Sequence, residues 1–152
     1  MKKVVTFGEV MVRLAPSEHY RFTQACPGSM DLTFGGAESN VAASVSILGG
    51  SSRFVSALPQ HAIADAFVRQ MRGFKVDVDH VLRREAGRFG IYYVETGVNQ
   101  RPSRVIYDRD YSAVSICPGE EYDWDTIFAD AQWLHISGIT LAISETAAQA
   151  SI

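Results

Sequence analysis

Phe34-Gly35-Gly36-Ala37-Glu38-Ser39-Asn40 joins a strand-like run to a helix-like one, and the reading of the chain turns on its two glycines. Before it, Asp31-Leu32-Thr33-Phe34 has the mixed character of a short strand. After it, Val41, Val45 and Leu48 recur at helical spacing until Gly49-Gly50 stops the helix. Paired glycines at such a junction allow positive φ and let a ligand come close to the main chain. The free amides of the first helical turn face whatever lies in front of them, which favours hydroxyl or anionic ligands. The alternative is a turn whose glycines only relieve a steric conflict.

Outward from this corner the pattern alternates. Val4 to Phe7, ended by Gly8, reads as a strand buried on both faces of a parallel sheet, and Val10, Val12 and Leu14 alternate as a second strand that Pro16 ends. Ser17 to Met30, with Pro27-Gly28 and no apolar period, reads as a loop. Arg53 to Ala57 is a further buried strand. Ile63, Phe67 and Met71 then predict the apolar stripe of a helix from about Ala62 to Arg72, stopped by Gly73, while Val76 to Leu82 suits an extended run or a loop. Strand and helix in alternation argue for an α/β fold with parallel strands.

Two later segments break that rhythm. Phe89 to Glu95 and Arg104 to Arg109 are rich in β-branched and aromatic residues, and Thr96 to Ser103 supplies a loop between them. They read as a hairpin. A loop centred between Asn99 and Gln100 puts Tyr92 opposite Tyr107 and Gly90 opposite Arg109, with Tyr92, Tyr107 and Arg109 on one face. Beyond them, an acidic loop leads into a short helix ending near Asp130, Trp133 to Ser137 reads as a buried strand, and Ser144 caps a last helix with Glu145 in its first turn.

Composition narrows the function classes. The chain has 152 residues, 47% hydrophobic and 20% charged, with a formal net charge of −3. It carries no basic footprint for nucleic acid, no basic run for a membrane surface and no apolar stretch of bilayer-spanning length. A cytoplasmic protein with a small-molecule partner is expected. Cys26 and Cys117 read as two free thiols, with one disulfide as the alternative; His19, His61, His80 and His135 are scattered, and no metal site is expected.

Gly8-Glu9, Gly35-Gly36-Ala37-Glu38-Ser39-Asn40-Val41-Ala42, Arg104-Val105-Ile106-Tyr107-Asp108-Arg109 and Leu134-His135-Ile136-Ser137-Gly138-Ile139-Thr140 together resemble the N-terminal half of a ribokinase-like (PfkB) carbohydrate kinase. Within that family the 2-keto-3-deoxygluconate kinases look most similar. The resemblance implies a three-layer α/β fold with a small β-sheet lid from strands near 10–14, 31–34 and 89–109. It also implies transfer of the ATP γ-phosphoryl group to a sugar acid, with Mg2+, and a homodimer formed through the lid. Gly35, Gly36, Ala37 and Asn40 would bind sugar hydroxyls, and Tyr92, Tyr107 and Arg109 would close over the substrate. Arg109 offers a planar, permanently charged fork for a carboxylate. The bland alternatives are an aromatic pair for the tyrosines and a surface pairing with Asp108 or Asp110 for Arg109.

Departures from the family pattern carry information too. Arg13 stands near the position where ribokinases and fructokinases have an aspartate for the sugar, which disfavours a neutral sugar. Gln60-His61-Ala62 replaces a glycine and following aspartate, with little chemical effect expected. The family's catalytic base lies in a Gly-Ala-Gly-Asp motif, and residues 1 to 152 contain none. The expectation is a truncated chain with no catalytic residue of its own, no nucleotide-binding half, no ATP or Mg2+ bound alone and no kinase activity. The competing readings are a fructokinase or ribokinase type, a non-catalytic sugar-binding or oligomerisation module, and, more weakly, a dinucleotide-binding domain, which lacks its Gly-x-Gly-x-x-Gly turn.

Overall fold

The computed structural model describes residues 2–152. In chain order the elements are β1 (Lys3–Phe7), β2 (Met11–Ala15), α1 (Phe22–Ala25), β3 (Asp31–Gly35), α2 (Ala37–Ile47), β4 (Ser52–Pro59), α3 (Ala62–Gly73), β5 (Val81–Arg84), β6 (Gly90–Glu95), β7 (Arg104–Asp108), α4 (Trp124–Phe128), β8 (Ala131–His135), α5 (Gly138–Ala142) and α6 (Glu145–Ala150). The strands form two sheets. One is parallel, in the order β5-β4-β1-β8; the other is mixed, in the order β3-β2-β6-β7.

β4 explains the layering of the first sheet. All eight of its residues are buried, because side chains alternate across a strand and both faces are covered. Phe54 and Leu58 join α2, α3 and the second sheet in one core, with Ala42, Phe67, Met71, Val12 and Phe89. Val55 and Ala57 face the other core, with Val5, Phe7, Ile127 and Ala150. A sheet between two covered faces is the three-layer α/β arrangement. The second sheet then branches off the C-terminal end of β1, where Gly8, Glu9 and Val10 lead into β2.

The hairpin register is as the sequence predicts: β6 and β7 pair antiparallel with Tyr92 opposite Tyr107. Elsewhere the structure corrects the sequence reading. Val41, Val45 and Leu48 are not the buried stripe of α2. Glu38, Ser39, Ala42 and Ser46 are, while Leu48 is 86% exposed. The cause is close packing on the sheet: Ser52 Oγ donates to the Ala42 carbonyl at 2.7 Å and lies 2.8 Å from Ser46 Oγ, a separation that larger side chains would prevent. Ile63 likewise lies on the exposed side of α3, whose buried residues are Ala64, Phe67 and Met71. The loop from Ser17 to Met30 contains the short helix α1, and the turn after β8 is helical as α5. β8 is not a buried strand. It pairs only with β1 at the sheet edge and leaves Trp133 68% exposed.

A charged cluster pins the N-terminal ends of the strands. The buried Arg53 donates Nε to Asp77 at 2.9 Å and a terminal nitrogen to Asp130 at 2.8 Å, and Lys3 reaches the same two carboxylates at 2.9 and 3.1 Å. Burial by itself would push the Asp77 carboxyl up, but hydrogen bonds from Lys3, the Asp79 amide and Arg53 outweigh it and hold it at about 2, below its ordinary 3.8. A depressed carboxylate stabilises the folded state above its unfolded pKa, and that contribution disappears as pH falls through the folded value. Asp77→Asn is therefore expected to cost about 2 kcal/mol at pH 7, with the gap to wild type closing between about pH 4 and pH 2. Urea unfolding at stepped pH measures it.

Candidate functional site

At the corner, β3 ends on Gly35 and α2 is capped by Gly36, whose φ of −173° is ordinary extended backbone. The glycines are needed for space and not for a left-handed conformation. A Cβ on Gly35 would stand 2.3 Å from the Tyr92 hydroxyl, and one on Gly36 would stand 2.5 Å from the Glu9 carbonyl oxygen. The room left by the missing side chains is thus used by the protein itself, with the Tyr92 phenol laid against the main chain. Ala37 and Asn40 are exposed on the first turn of α2, and the Asn40 side chain makes no hydrogen bond among the described residues.

Tyr92 starts on β6 and reaches across β2 to Gly35 on β3. Its ring lies 6.2 Å from that of Tyr107, and the Arg109 guanidinium carbon lies 5.6 Å from the centre of the Tyr107 ring. Burial pushes the Tyr92 phenol up, against a smaller opposing effect of the Arg13 charge, so it stays protonated as a donor at neutral pH. Of the three side chains predicted from the sequence, Tyr92 touches the diglycine corner, and Tyr107 and Arg109 follow it in a chain of ring contacts.

The partner of Arg109 was not foreseen. Neither Asp108 nor Asp110 holds it: Asp108 pairs with Arg88, and Arg109 pairs through one terminal nitrogen with Glu9, whose side chain is 3% exposed. Among the described residues, Glu9 Oε1 and Arg109 Nε are both buried without a hydrogen-bond partner. A second buried carboxylate, Glu38, lies in the first turn of α2. Its Oε1 accepts from the Ser137 amide at 2.8 Å and from the Thr140 hydroxyl at 2.9 Å, beside Gly8, where a Cβ would stand 2.4 Å from Glu38 Cδ. A negative charge in the first turn opposes a second anion there, so these amides suit hydroxyls and not phosphates. Glu9 and Glu38 both sit inside motifs visible in the sequence, but no local spacing rule links residue 9 to 109 or 38 to 140.

Arg109 also borders an open groove of about 560 Å3 shared with Asp110, Tyr111, Ile139, Ile143 and Ser144. His61 is structural: its Nδ1 accepts from the Ala64 amide at 3.3 Å and caps α3, and its ring stacks on Phe89. Among the described residues no group of three or more His, Cys, Asp or Glu is placed to hold a metal ion.

The two glycines predict different costs. Gly36→Ala drives a methyl into backbone and is expected to destabilise by about 1–3 kcal/mol, as overpacking does. Gly35→Ala meets only the movable end of Tyr92, so stability should fall by less than about 1 kcal/mol. The displaced phenol should then titrate closer to its ordinary value of 10.0. Denaturant melts and ultraviolet titration of the tyrosines check the pair.

Comparison with known proteins gives the family of the chain. The chain is 40% identical over 144 residues to a 2-dehydro-3-deoxygalactonokinase of Haloferax volcanii, covering 95% of this chain and 44% of that protein. It is 30% identical over 140 residues to a 2-dehydro-3-deoxygluconokinase of Bacillus subtilis, covering 92% of this chain and 42% of that one. The crystal structure of 2-dehydro-3-deoxygluconokinase from Thermotoga maritima superposes with a TM-score of 0.89 at 45% identity, covering 95% of this chain and 43% of that chain. The chain therefore spans less than half the length of these relatives. The description of pfkB family carbohydrate kinases matches residues 1–151, and the chain belongs to that family.

Proposed function

We propose that this chain supplies the sugar-binding part of an ATP-dependent kinase that phosphorylates a 2-keto-3-deoxy sugar acid, with 2-keto-3-deoxygluconate as the first candidate. The observation that carries the reading is the chain of contacts that runs from the Gly35 backbone through Tyr92 and Tyr107 to Arg109. Main-chain amides of the first turn of α2 and the Asn40 carboxamide donate to sugar hydroxyls. The tyrosine rings cover the carbon chain and their hydroxyls bond its oxygens. The Arg109 guanidinium gives a carboxylate a charge-assisted bond, and Glu9 holds it in place.

Nothing at this corner suits a triphosphate, because Glu38 opposes an anion at the start of α2. ATP and Mg2+ are the proposed co-substrate and metal of the complete enzyme, and no residue described here is assigned to them. Likewise, the 152-residue chain expressed alone is expected to bind sugar without transferring phosphate.

A homodimer through the mixed sheet is the proposed assembly, in a cytoplasmic enzyme. Leu32, Leu14, Tyr93 and Ile106 form one cross-strand row on the face opposite the site, and Leu32 and Ile106 are about half exposed. Ile106→Asp is expected to shift the protein to monomer in light scattering.

Thermal shift with a sugar panel tests the substrate. 2-Keto-3-deoxygluconate should raise Tm where fructose and ribose do not, and Arg109→Ala should abolish the rise. Equal stabilisation by fructose or ribose would instead support a fructokinase or ribokinase type. Sugar binding that never leads to turnover in the protein from the complete reading frame would support a binding module.

A further inference from the structure

Arg13 stands in the middle of β2, in register with Thr33 on β3 and Tyr92 on β6, and Tyr92 is opposite Tyr107 on β7. Cross-strand partners project from the same face, so Arg13 shares the face of the two tyrosines. The neighbouring row on that face is Gly35, Met11 and Gly90, and Arg109 lies beside Gly90. Because Tyr92 crosses β2 to reach Gly35, its ring passes beside Arg13. The Arg13 charge is felt at that phenol, where it opposes the larger effect of burial.

The two arginines of this face differ in their charge environment. Arg109 is paired with the buried Glu9, so the two together carry no net charge. Arg13 is partly exposed, and among the described residues it makes no ion pair. Asp31 also projects from this face, one row beyond Arg13 on the side away from the corner, opposite Ala15, and is outside ion-pair distance of it. An anion bound at Arg109 alone would place a second carboxylate beside Glu9 about a single guanidinium, which costs like-charge repulsion. A compensated pair attracts an anion only as a dipole, whereas a lone guanidinium attracts it as a full charge.

We propose that Arg13 is the specificity-determining cation of this sugar site: its uncompensated guanidinium selects substrates that carry a carboxylate, and Arg109, held by Glu9, orients them. The inference rests on the sugar-acid reading above and adds the residue that enforces it. Acid sugars gain from Arg13 and neutral ones do not, so the preference is electrostatic and screened by salt.

The test uses protein from the complete reading frame, assayed with 2-keto-3-deoxygluconate and with its methyl ester, which keeps the hydroxyls and removes the charge. Arg13→Gln should raise KM for the acid about ten- to a hundredfold, the size of a lost charge-assisted bond, with kcat and the ester nearly unchanged. Arg13→Lys should recover most of the loss. Wild type that prefers the acid while Arg13→Gln raises neither KM, or both equally, overturns the role of Arg13 and leaves the sugar-acid reading standing. Wild type that takes acid and ester alike overturns that reading itself. Should Arg13→Gln melt early, the salt series on wild type decides: KM for the acid rising with ionic strength against a flat ester supports the assignment, and two flat lines overturn it.

Discussion

The molecule depends on two carboxylates buried where its sheets meet. Glu38 ties the first turn of α2 to the Ser137 amide and the Thr140 hydroxyl, across the space that Gly8 leaves open. Glu9, on the connection from β1 to β2, holds Arg109 at the far end of the hairpin. Burying a charge is expensive unless it is hydrogen-bonded or paired, so each carboxylate dictates what must stand around it. Between them they fix the start of α2, the exit of β8 and the hairpin relative to the diglycine corner. Removing one partner strands the other, which in buried pairs costs roughly 3–5 kcal/mol.

The same two charges set the chemistry of the corner. A bare helix N-terminus draws phosphate and carboxylate alike. With Glu38 in its first turn, α2 offers amides for hydroxyls in a locally negative environment. Glu9 restrains Arg109 in a similar way, converting an open cation into an oriented donor. Among the described residues, Arg13 on this face has no carboxylate partner.

Much of this was legible in the sequence because it is local or periodic. The Tyr92 to Tyr107 register followed from the symmetry of one loop, and a hairpin has few other registers once its loop is fixed. The Gly35-Gly36 junction announced itself as a strand meeting a helix. What escaped were facts about neighbours distant in the chain. Small residues, not valines, face the sheet from α2 because Ser46, Ser52 and Ala42 pack at hydrogen-bonding distance, and composition ranks serine below valine as a core residue. β8 has the apolar composition of a buried strand but lies at an edge, since composition cannot say how many neighbours a strand will find. The Glu9 to Arg109 pair spans a hundred positions, beyond any spacing rule.

The two ends of the parallel sheet divide stability from function. At the N-terminal ends, Lys3, Arg53, Asp77 and Asp130 satisfy one another, and a saturated cluster of that kind only holds the strands together. At the C-terminal ends the bonding is incomplete: among the described residues, Glu9 Oε1, Ser137 Oγ and His135 Nε2 are buried without partners. Parallel α/β sheets bind ligands beyond the carboxyl ends of their strands, where connections diverge. Here the divergence is the departure of the chain from β1 into the mixed sheet, which carries Tyr92, Tyr107 and Arg13. Buried polar atoms left unpaired destabilise a fold by about 1–3 kcal/mol each, so those at this end are unfavourable for folding, whereas the cluster at the other end is satisfied.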